Sequence, residues 1–288
     1  MNSAVLEAQT IAPLWGAPLG AAAIAAALWI NRTHVGFLPD DPPGGRKRHS
    51  HPIPMIGLLL GALATVALWL HGPASLALGA GLCTLIGHLD DRRKASGDGL
   101  QLPIKVIGLG LAACLAVMAL GDIALSPWTW VFAVALAFVV INAVNFLDNA
   151  NGVAAAVGTV GLLLATGADG PFAVVAFVFV GFLPFNWPVP RVLLGDAGAL
   201  CLGYALGTTA LMRATAGDGL SVAAALAPVA VPVLDFAQVV AARIYLGFLP
   251  WIGDRRHLAH IAMNSGMPQV LVAPVFACAA AGLFLALT

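Results

Sequence analysis

Long runs of apolar residues alternate with short polar segments along the whole chain. Ten runs approach the ~20 residues that an α-helix needs to cross a hydrocarbon core of ~30 Å. The runs are centred on residues 12–30, 53–70, 74–88, 102–120, 127–144, 152–167, 171–186, 193–212, 220–247 and 269–287. The pattern predicts an all-α, polytopic integral membrane protein with about ten transmembrane helices in a single domain, residues 1–288.

The ninth run is longer than a membrane span requires and contains two prolines, Pro228 and Pro232. Proline removes a helical hydrogen bond and clashes with the preceding turn. A bent ninth helix that projects beyond the bilayer is therefore predicted.

Composition agrees with a membrane protein, because 60% of the residues are hydrophobic, 9% are charged and the mean hydropathy is +0.95. Soluble domains contain about a quarter charged residues. The formal net charge is zero, which gives no reason to expect a nucleic-acid partner.

Lys and Arg are distributed unevenly between the two predicted sides of the membrane. Twelve of the thirteen lie on one side, and only Arg213 lies on the other. The segments of the first side are 31–52, 87–105, 145–151, 187–196 and 243–268. Since cytoplasmic loops carry the excess of Lys and Arg, this side is predicted to be the cytoplasmic face of the inner cell membrane, with both termini outside.

Most of the acidic residues share that face, although the distribution of Lys and Arg does not require it. Acids at the ends of membrane spans are costly unless they are paired or bind a metal. They therefore predict one polar site where a charged, water-soluble substrate meets the bilayer. Asp40, Asp41 and Asp98 are exceptions, for which a solvated loop is the preferred interpretation.

The segment 87–96, GHLDDRRKAS, ends the third apolar run with two adjacent aspartates. Asp90 and Asp91 can hold a divalent cation or act as a base, and the cations that follow, such as Lys94, can bind phosphate. Lys105, near the start of the fourth run, is a further candidate phosphate contact. Charges that only reach into the membrane interface are the alternative interpretation.

The segment 141–154, INAVNFLDNANGVA, ends the fifth run with five amide or carboxylate side chains. Asn145 and Asp148 are three residues apart and so share one helical face, where oxygen donors suit Mg²⁺ or nucleotide hydroxyls. A helix C-cap requires only one Asn or Gly, so capping does not account for the whole segment.

The segment 185–200, FNWPVPRVLLGDAGAL, places Asp196 between two glycines at the start of the eighth run. Glycine permits close backbone approach, and a carboxylate at a helix N-terminus can ligate a metal that carries phosphate oxygens. A plain Asp N-cap is the alternative.

The segment 231–263 contains two histidines, His257 and His260, on one face of a helical turn and close to Arg255. Arginine binds pyrophosphate well, whereas a zinc site is disfavoured because only two suitable ligands are present. The pattern favours phosphate recognition over an ordinary interfacial loop.

These four segments, in this order and on one predicted face, resemble the polyprenyl-phosphate N-acetylhexosamine-1-phosphate transferase family. The resemblance runs from about residue 44 to 263 and includes 46–57, RKRHSHPIPMIG, which is similar to the basic, proline-containing loop after the family's first helix. It implies ten transmembrane helices, a bent ninth helix and a cytoplasmic-facing site. Family members transfer a sugar-1-phosphate from a UDP-sugar to a polyprenyl phosphate, use Mg²⁺ and release UMP.

The resemblance also implies a role for individual residues of these segments. The metal ligands would be Asn145 and Asp196, with Mn²⁺ as an alternative to Mg²⁺. The catalytic residues would be Asp90 and Asp91, one of which deprotonates or positions the lipid phosphate, and Lys94 and Lys105 near the phosphates. The substrate-binding residues would be Arg48, His49, Asp148, Asn151, Asn186, Arg255, His257 and His260.

Four positions depart from the family pattern. Asn151 replaces a common aspartate, and Ala199 stands where Ser is usual. Leu193 occupies a position often held by a Phe that stacks on uracil, which puts the nucleobase or its binding mode in question. Ala259 replaces a further histidine of many members, which makes the muramoyl-pentapeptide donor a poorer fit.

The sequence therefore predicts an enzyme that transfers GlcNAc-1-phosphate to a polyprenyl phosphate and starts a cell-envelope glycan such as lipopolysaccharide. Its partners would be the UDP-sugar, the lipid acceptor and the bilayer, and a homodimer is common among relatives. The alternatives are another UDP-sugar such as the muramoyl-pentapeptide donor, a transporter, or an inactive scaffold.

Overall fold

A computed structural model describes residues 12–33, 38–42, 51–97, 99–121, 123–167, 170–217, 219–251, 253 and 255–288. A short 3₁₀ helix, Ala12–Trp15, precedes the first α-helix. The α-helices are α1 (Gly16–Thr33), α2 (Gly57–His71), α3 (Ala74–Ala95), α4 (Leu102–Met118), α5 (Pro127–Leu147), α6 (Val153–Thr166), α7 (Gly170–Asn186), α8 (Gly195–Thr215), α9 (Val222–Tyr245), α10 (Leu258–Asn264) and α11 (Gln269–Leu287).

Each of the ten apolar runs coincides with one long helix, and α10 is a seven-residue helix between the last two runs. By length and composition, three described helices can cross a membrane, namely α5, α9 and α11. Shorter apolar helices are α1 over 16–30, α2, α4, α6 and α7. The all-helical membrane fold is thereby confirmed, whereas the number of crossings stays a prediction.

The ninth long helix, α9, continues from Val222 to Tyr245 with Pro228 and Pro232 inside it. Its first turn is capped by Ser221, whose hydroxyl accepts a hydrogen bond from the Ala224 amide at 3.1 Å. Such a cap satisfies one of the N–H groups that the first turn leaves without a helical partner. The predicted bend in this helix stays a prediction.

Helix α8 occupies the centre of the bundle. It contacts α2, α3, α4, α5, α6, α7 and α9. Every residue from Ala197 to Leu211 is buried, so this helix has almost no surface left for lipid. Small residues allow the neighbours to approach closely, as at Gly203, where an added Cβ would lie 2.9 Å from the Ile141 Cα. The central position of α8 brings its first residues next to the ends of several other helices.

Two short extended segments lie beside the start of α8. Strand β1, Asp40–Asp41, pairs antiparallel with β2, Ile53–Pro54. Beyond β2, the Ile56 amide donates to the Leu193 carbonyl at 3.0 Å, and the Leu193 amide donates to the Pro54 carbonyl at 2.9 Å. The chain entering α2 is therefore hydrogen-bonded to the chain entering α8, a connection that hydropathy alone did not predict.

Candidate active site

Charged side chains from three helices meet at one end of the bundle. They come from the last turns of α3, the first turn of α4 and the first turn of α8. We call this group the carboxylate–lysine cluster; its members are Asp90, Asp91, Lys94, Lys105 and Asp196. The family resemblance assigned catalytic or metal-binding roles to all five, and the fold brings them together.

Two lysines bridge two carboxylates within this cluster. The Lys94 Nζ lies 2.9 Å from the Oδ2 atoms of both Asp90 and Asp196. The Lys105 Nζ lies 2.7 Å from Asp90 Oδ2 and 2.5 Å from Asp196 Oδ2. The Asp90 Oδ1 accepts a hydrogen bond from the Leu100 amide at 2.7 Å. Both ammonium groups are thus held between carboxylates, where an incoming phosphate could exchange with one of them.

Asp91 has a different set of partners from its neighbour Asp90. Its Oδ1 accepts from the Asp196 amide at 2.8 Å, and its Oδ2 accepts from the Ala197 amide at 3.1 Å. These are the first N–H groups of α8, which have no helical acceptor. Gly195, with φ +67°, makes room for this carboxylate, since an added Cβ would lie 2.7 Å from Asp91 Oδ2. Asp91 therefore fixes the helix that carries Asp196.

Replacing Gly87 with Ala is expected to force α3 away from the start of α8. A Cβ at Gly87 would lie 2.5 Å from the Ala197 Cα, and backbone atoms cannot yield cheaply. We expect a loss of about 1–3 kcal/mol in stability, as for other overpacked contacts. Thermal unfolding in detergent measures this loss.

The matched control is Gly81→Ala on the same helix. Its added Cβ would lie 3.5 Å from Thr65 Cγ2, which is ordinary contact. Ala favours a helix over Gly by about 1 kcal/mol, so this variant should unfold at the same or a higher temperature. Equal destabilisation of both variants would contradict the assigned contact.

The balance of charge at this end of the bundle suits a divalent cation. The cluster together with Asp148 holds four carboxylates but two ammonium groups. Burial, and after it the nearby carboxylates of Asp196, Asp91 and Asp41, together raise the pKa of Asp148 to about 8. A bound cation would lower this pKa again and so relieve the repulsion among the carboxylates.

The donor set is compatible with Mg²⁺ rather than with a metal held entirely by protein. Among the described residues, no group of three or more His, Cys, Asp or Glu side chains is placed to hold a metal ion. Mg²⁺ commonly takes one or two carboxylates and completes its octahedron with water and substrate phosphates. Asp196 offers such a carboxylate. Asn145, on the last turns of α5, offers an amide oxygen, and its side chain makes no hydrogen bond to the described part of the chain.

The asparagine-rich segment, residues 141–154, continues beyond the end of α5, and hydrogen bonds from side chains to backbone hold it there. The Asn186 Oδ1 accepts from the Gly152 amide, and its Nδ2 donates to the Val192 carbonyl at 2.8 Å. The Asn151 Nδ2 donates to the Pro188 carbonyl at 3.1 Å. Asn186, which is 3% exposed, therefore joins the turn before α6 to the chain that leads into α8. Its assignment to substrate binding stays a prediction.

Two of the predicted phosphate-recognition residues lie on or next to α10. His257 precedes this helix and pairs with the buried Asp235 of α9, with 2.8 Å between Nδ1 and Oδ2. The ring of His260 lies 6.4 Å from that of His257, measured between centroids, and both side chains are buried. Arg255 is exposed beside them.

The aromatic ring of Phe146 connects this region to the asparagine-rich segment. Its centroid lies 6.0 Å from that of His257 and 4.9 Å from that of Phe236 on α9. The guanidinium of the buried Arg243 lies over the same ring, 5.1 Å from its centroid. Phe146 directly follows Asn145, so His257 is packed against the helix end that carries a predicted metal ligand.

Arg48 and His49 lie outside the described residues, as does Asp254, and their placement stays a prediction. Asp41, which the sequence assigned to a solvated loop, is half-buried in β1, and its charge contributes to the raised pKa of Asp148. Its position between the first apolar run and the basic segment 46–57 was the available signal.

The fold and this site define a helical membrane protein with a charge-rich, phosphate-compatible centre at one end of its bundle. The family model for glycosyl transferase family 4 matches residues 73–214, about half of the chain. That range contains the whole carboxylate–lysine cluster and the asparagine-rich segment.

Curated relatives agree with this match. The undecaprenyl-phosphate alpha-N-acetylglucosaminyl 1-phosphate transferase of Yersinia pestis is 27% identical over 256 residues, covering 78% of this chain and 70% of the relative. The decaprenyl-phosphate N-acetylglucosaminephosphotransferase of Mycolicibacterium smegmatis is 26% identical over 292 residues, covering 83% and 72%. The phospho-N-acetylmuramoyl-pentapeptide-transferase of a Synechococcus strain is 38% identical over 154 residues, covering 45% of each chain. The chain belongs to glycosyl transferase family 4.

Proposed function

We propose that this protein transfers GlcNAc-1-phosphate from a UDP-sugar to a polyprenyl phosphate and releases UMP. The observation that carries the proposal is the pair of lysines held between Asp90 and Asp196 inside the family-matched segment. Relatives that share most of this chain's length are named as GlcNAc-1-phosphate transferases acting on undecaprenyl or decaprenyl phosphate.

The proposed setting is the inner cell membrane, crossed ten times, with the site on the cytoplasmic face and both termini outside. The ten long helices in the described part of the chain and the one-sided distribution of Lys and Arg support this arrangement. A site at the cytoplasmic end of the bundle can receive a soluble nucleotide sugar from water. It can receive the phosphate of a lipid at the same depth.

The reaction joins two anions. An oxygen of the lipid phosphate attacks the phosphorus that carries the sugar. The bond from that phosphorus to the bridging oxygen breaks, and the electron pair leaves with UMP. Lys94 and Lys105 reduce the repulsion between the two phosphates, because each ammonium can exchange a carboxylate partner for a phosphate oxygen.

Asp90 and Asp91 position different groups of the site. Asp91 holds the first turn of α8 and thereby sets the direction of the Asp196 carboxylate. Asp90 holds Lys94 and Lys105 and fixes the turn at Leu100. A proton on the lipid phosphate would pass to Asp90 or Asp91, since the family resemblance implies that one of these two carboxylates accepts it.

Asn145 and Asp196 are the residues that we propose to hold Mg²⁺, or Mn²⁺ in its place. A bound divalent cation supplies Lewis-acid stabilisation of charge on the pyrophosphate. Asp148 lies near enough to Asp196 to feel its charge and adds a further oxygen donor.

The donor would lie between the asparagine-rich segment and α10. Asp148, Asn151 and Asn186 are proposed for the nucleoside end, of which Asn186 acts by shaping the turn at Gly152. The proposed phosphate and sugar contacts are Arg48, His49, Arg255, His257 and His260.

One comparison supports a second candidate for the donor, the muramoyl-pentapeptide donor. The Synechococcus relative, named a phospho-N-acetylmuramoyl-pentapeptide-transferase, has the higher identity but matches less than half of either chain. The relatives named for GlcNAc match 78% or more of this chain, and we therefore put UDP-GlcNAc first.

The decisive experiment is UMP release by the purified protein in detergent with polyprenyl phosphate and UDP-GlcNAc. We expect release only when donor, acceptor and Mg²⁺ are all present. Faster turnover of the muramoyl-pentapeptide donor would replace the proposed sugar. Failure with every UDP-sugar would reject the transferase and favour an inactive scaffold.

A further inference from the structure

One fully buried carboxylate lies outside the residue roles described so far. Asp235, in the middle of α9, has 0% of its surface exposed. A carboxylate in such a position is costly unless its oxygens are satisfied by strong partners. A group retained at that cost requires a structural or functional reason.

Both oxygens of Asp235 bind the short segment that starts α10. Oδ2 lies 2.8 Å from His257 Nδ1, and Oδ1 accepts from the Leu258 amide at 2.7 Å. An ionised carboxylate only accepts hydrogen bonds, so it pairs with the form of the ring that carries a proton on Nδ1. The two bonds fix the ring at the nitrogen and at the backbone that follows it.

Neighbouring rings restrict the imidazole further. Phe146 meets it edge-on, with an interplanar angle of 73°, and His260 meets it at 66°. With Nδ1 bonded to Asp235, Nε2 is the polar atom of the ring that remains for a ligand. It makes no hydrogen bond within the described part of the chain.

We propose that Asp235 is a positioning residue, which holds Nδ1 of His257 so that Nε2 binds a phosphate oxygen of the nucleotide-sugar donor. The inference rests on the proposed function for the identity of that donor. When the ring carries both protons, the carboxylate partner stabilises the imidazolium, and Nε2–H donates to the phosphate. Outer partners of this kind set the tautomer and orientation of histidines at other sites.

The first test compares Asp235→Asn, His257→Gln and the double variant. Asparagine keeps the size of Asp235 and can still accept from the Leu258 amide, but its amide nitrogen donates to Nδ1 and carries no charge, so the variant favours the Nε2–H tautomer and no longer stabilises the imidazolium. We expect kcat/KM for UDP-GlcNAc to fall about 10- to 100-fold in either single variant. The double variant should fall no further than His257→Gln alone, because Asp235 acts through that ring.

A purely structural role for Asp235 gives a different result. Losses from Asp235→Asn and His257→Gln would then multiply in the double variant, and this would overturn the proposal. Ser221→Ala is the matched control, because it removes a cap from the same helix far along the chain from Asp235. It should lower the unfolding temperature without changing kcat/KM.

The second test does not depend on turnover. Nitrogen NMR of histidine-labelled protein, with the His257 signal assigned from the His257→Gln spectrum, reports which ring nitrogens carry protons. We expect Nδ1 of His257 to be protonated in the unsubstituted protein and the Nε2–H tautomer to gain population in Asp235→Asn.

The same protonation pattern in both proteins would reject the positioning role, whatever the activity. Conversely, a protein with the expected spectra that released no UMP from any UDP-sugar would retain the ring geometry and reject the proposed function. The two failures are therefore distinguishable.

Discussion

Asp196→Asn is expected to abolish Mg²⁺-dependent UMP release, with a loss on the order of 10³-fold or more, as for other charge-stabilising groups at reaction centres. Asparagine has the same shape but removes the charge that attracts Lys94 and Lys105. It also places an amide group where either lysine or a metal requires an acceptor. The measurement is the initial rate of UMP release across a Mg²⁺ titration.

The matched control for this variant is Asp40→Asn. Asp40 is exposed in β1, on the same predicted membrane face. Its neutralisation should leave the rate within about twofold, since an exposed charge has little effect on a screened site. The backbone bonds from Asp91 to the start of α8 remain in Asp196→Asn, so we expect this variant to stay folded. Wild-type rates in Asp196→Asn would refute its role.

Lys105→Met is expected to have the second largest effect, a fall in kcat on the order of 10²-fold. Lys105 lies between Asp90 and Asp196, and its side chain is 19% exposed. Removing it leaves the buried Asp90 and the part-buried Asp196 carboxylates near each other with less compensating charge, which is costly both for folding and for binding phosphate.

Lys94→Met provides the internal comparison. Lys94 contacts the same two oxygens, but its side chain is 48% exposed. Water can therefore solvate the carboxylates in its place and offset more of the lost charge. We expect a smaller loss, about 10-fold, consistent with a weaker and more solvated ion pair. A larger loss in Lys94→Met than in Lys105→Met would contradict the assigned order.

A stability measurement supports the kinetic one. If a divalent cation binds among these carboxylates, it can take the place of the ammonium that Lys105→Met removes. Ligand binding to the folded state raises the unfolding temperature. We therefore expect Mg²⁺ to raise the unfolding temperature of Lys105→Met more than that of the unsubstituted protein.

The helices and the general place of the site could be predicted from the sequence because both depend on local patterns. Apolar runs of sufficient length predicted all ten long helices of the described residues. The aspartates at 90 and 91 and the GDAG segment at 195–198 stood out because charge is rare in such surroundings. One-sided clustering of charge then favoured one shared site.

Specific partners could not be predicted, because they join residues far apart in the chain. The bonds from Asp91 to the Asp196 and Ala197 amides span 105 and 106 residues. The sequence suggested a metal or base role for Asp91, but not its role as a cap for another helix. The same applies to Asn186, whose hydrogen bonds depend on the chain entering α8.

The enclosure of α8 by its neighbours has a consequence for biosynthesis. Helix α8 carries one charge in its first turn, Asp196, and another in its last turn, Arg213, and charged residues lower the tendency of a segment to enter the bilayer alone. Yet α8 reaches its place beside seven other helices, six of which are made before it. We expect α8 to partition poorly from the insertion machinery into lipid on its own. Packing against the helices made before it would then keep it in the membrane. Catalytic competence would therefore arise late in translation, and chains that stop before residue 195 would remain inert in the membrane.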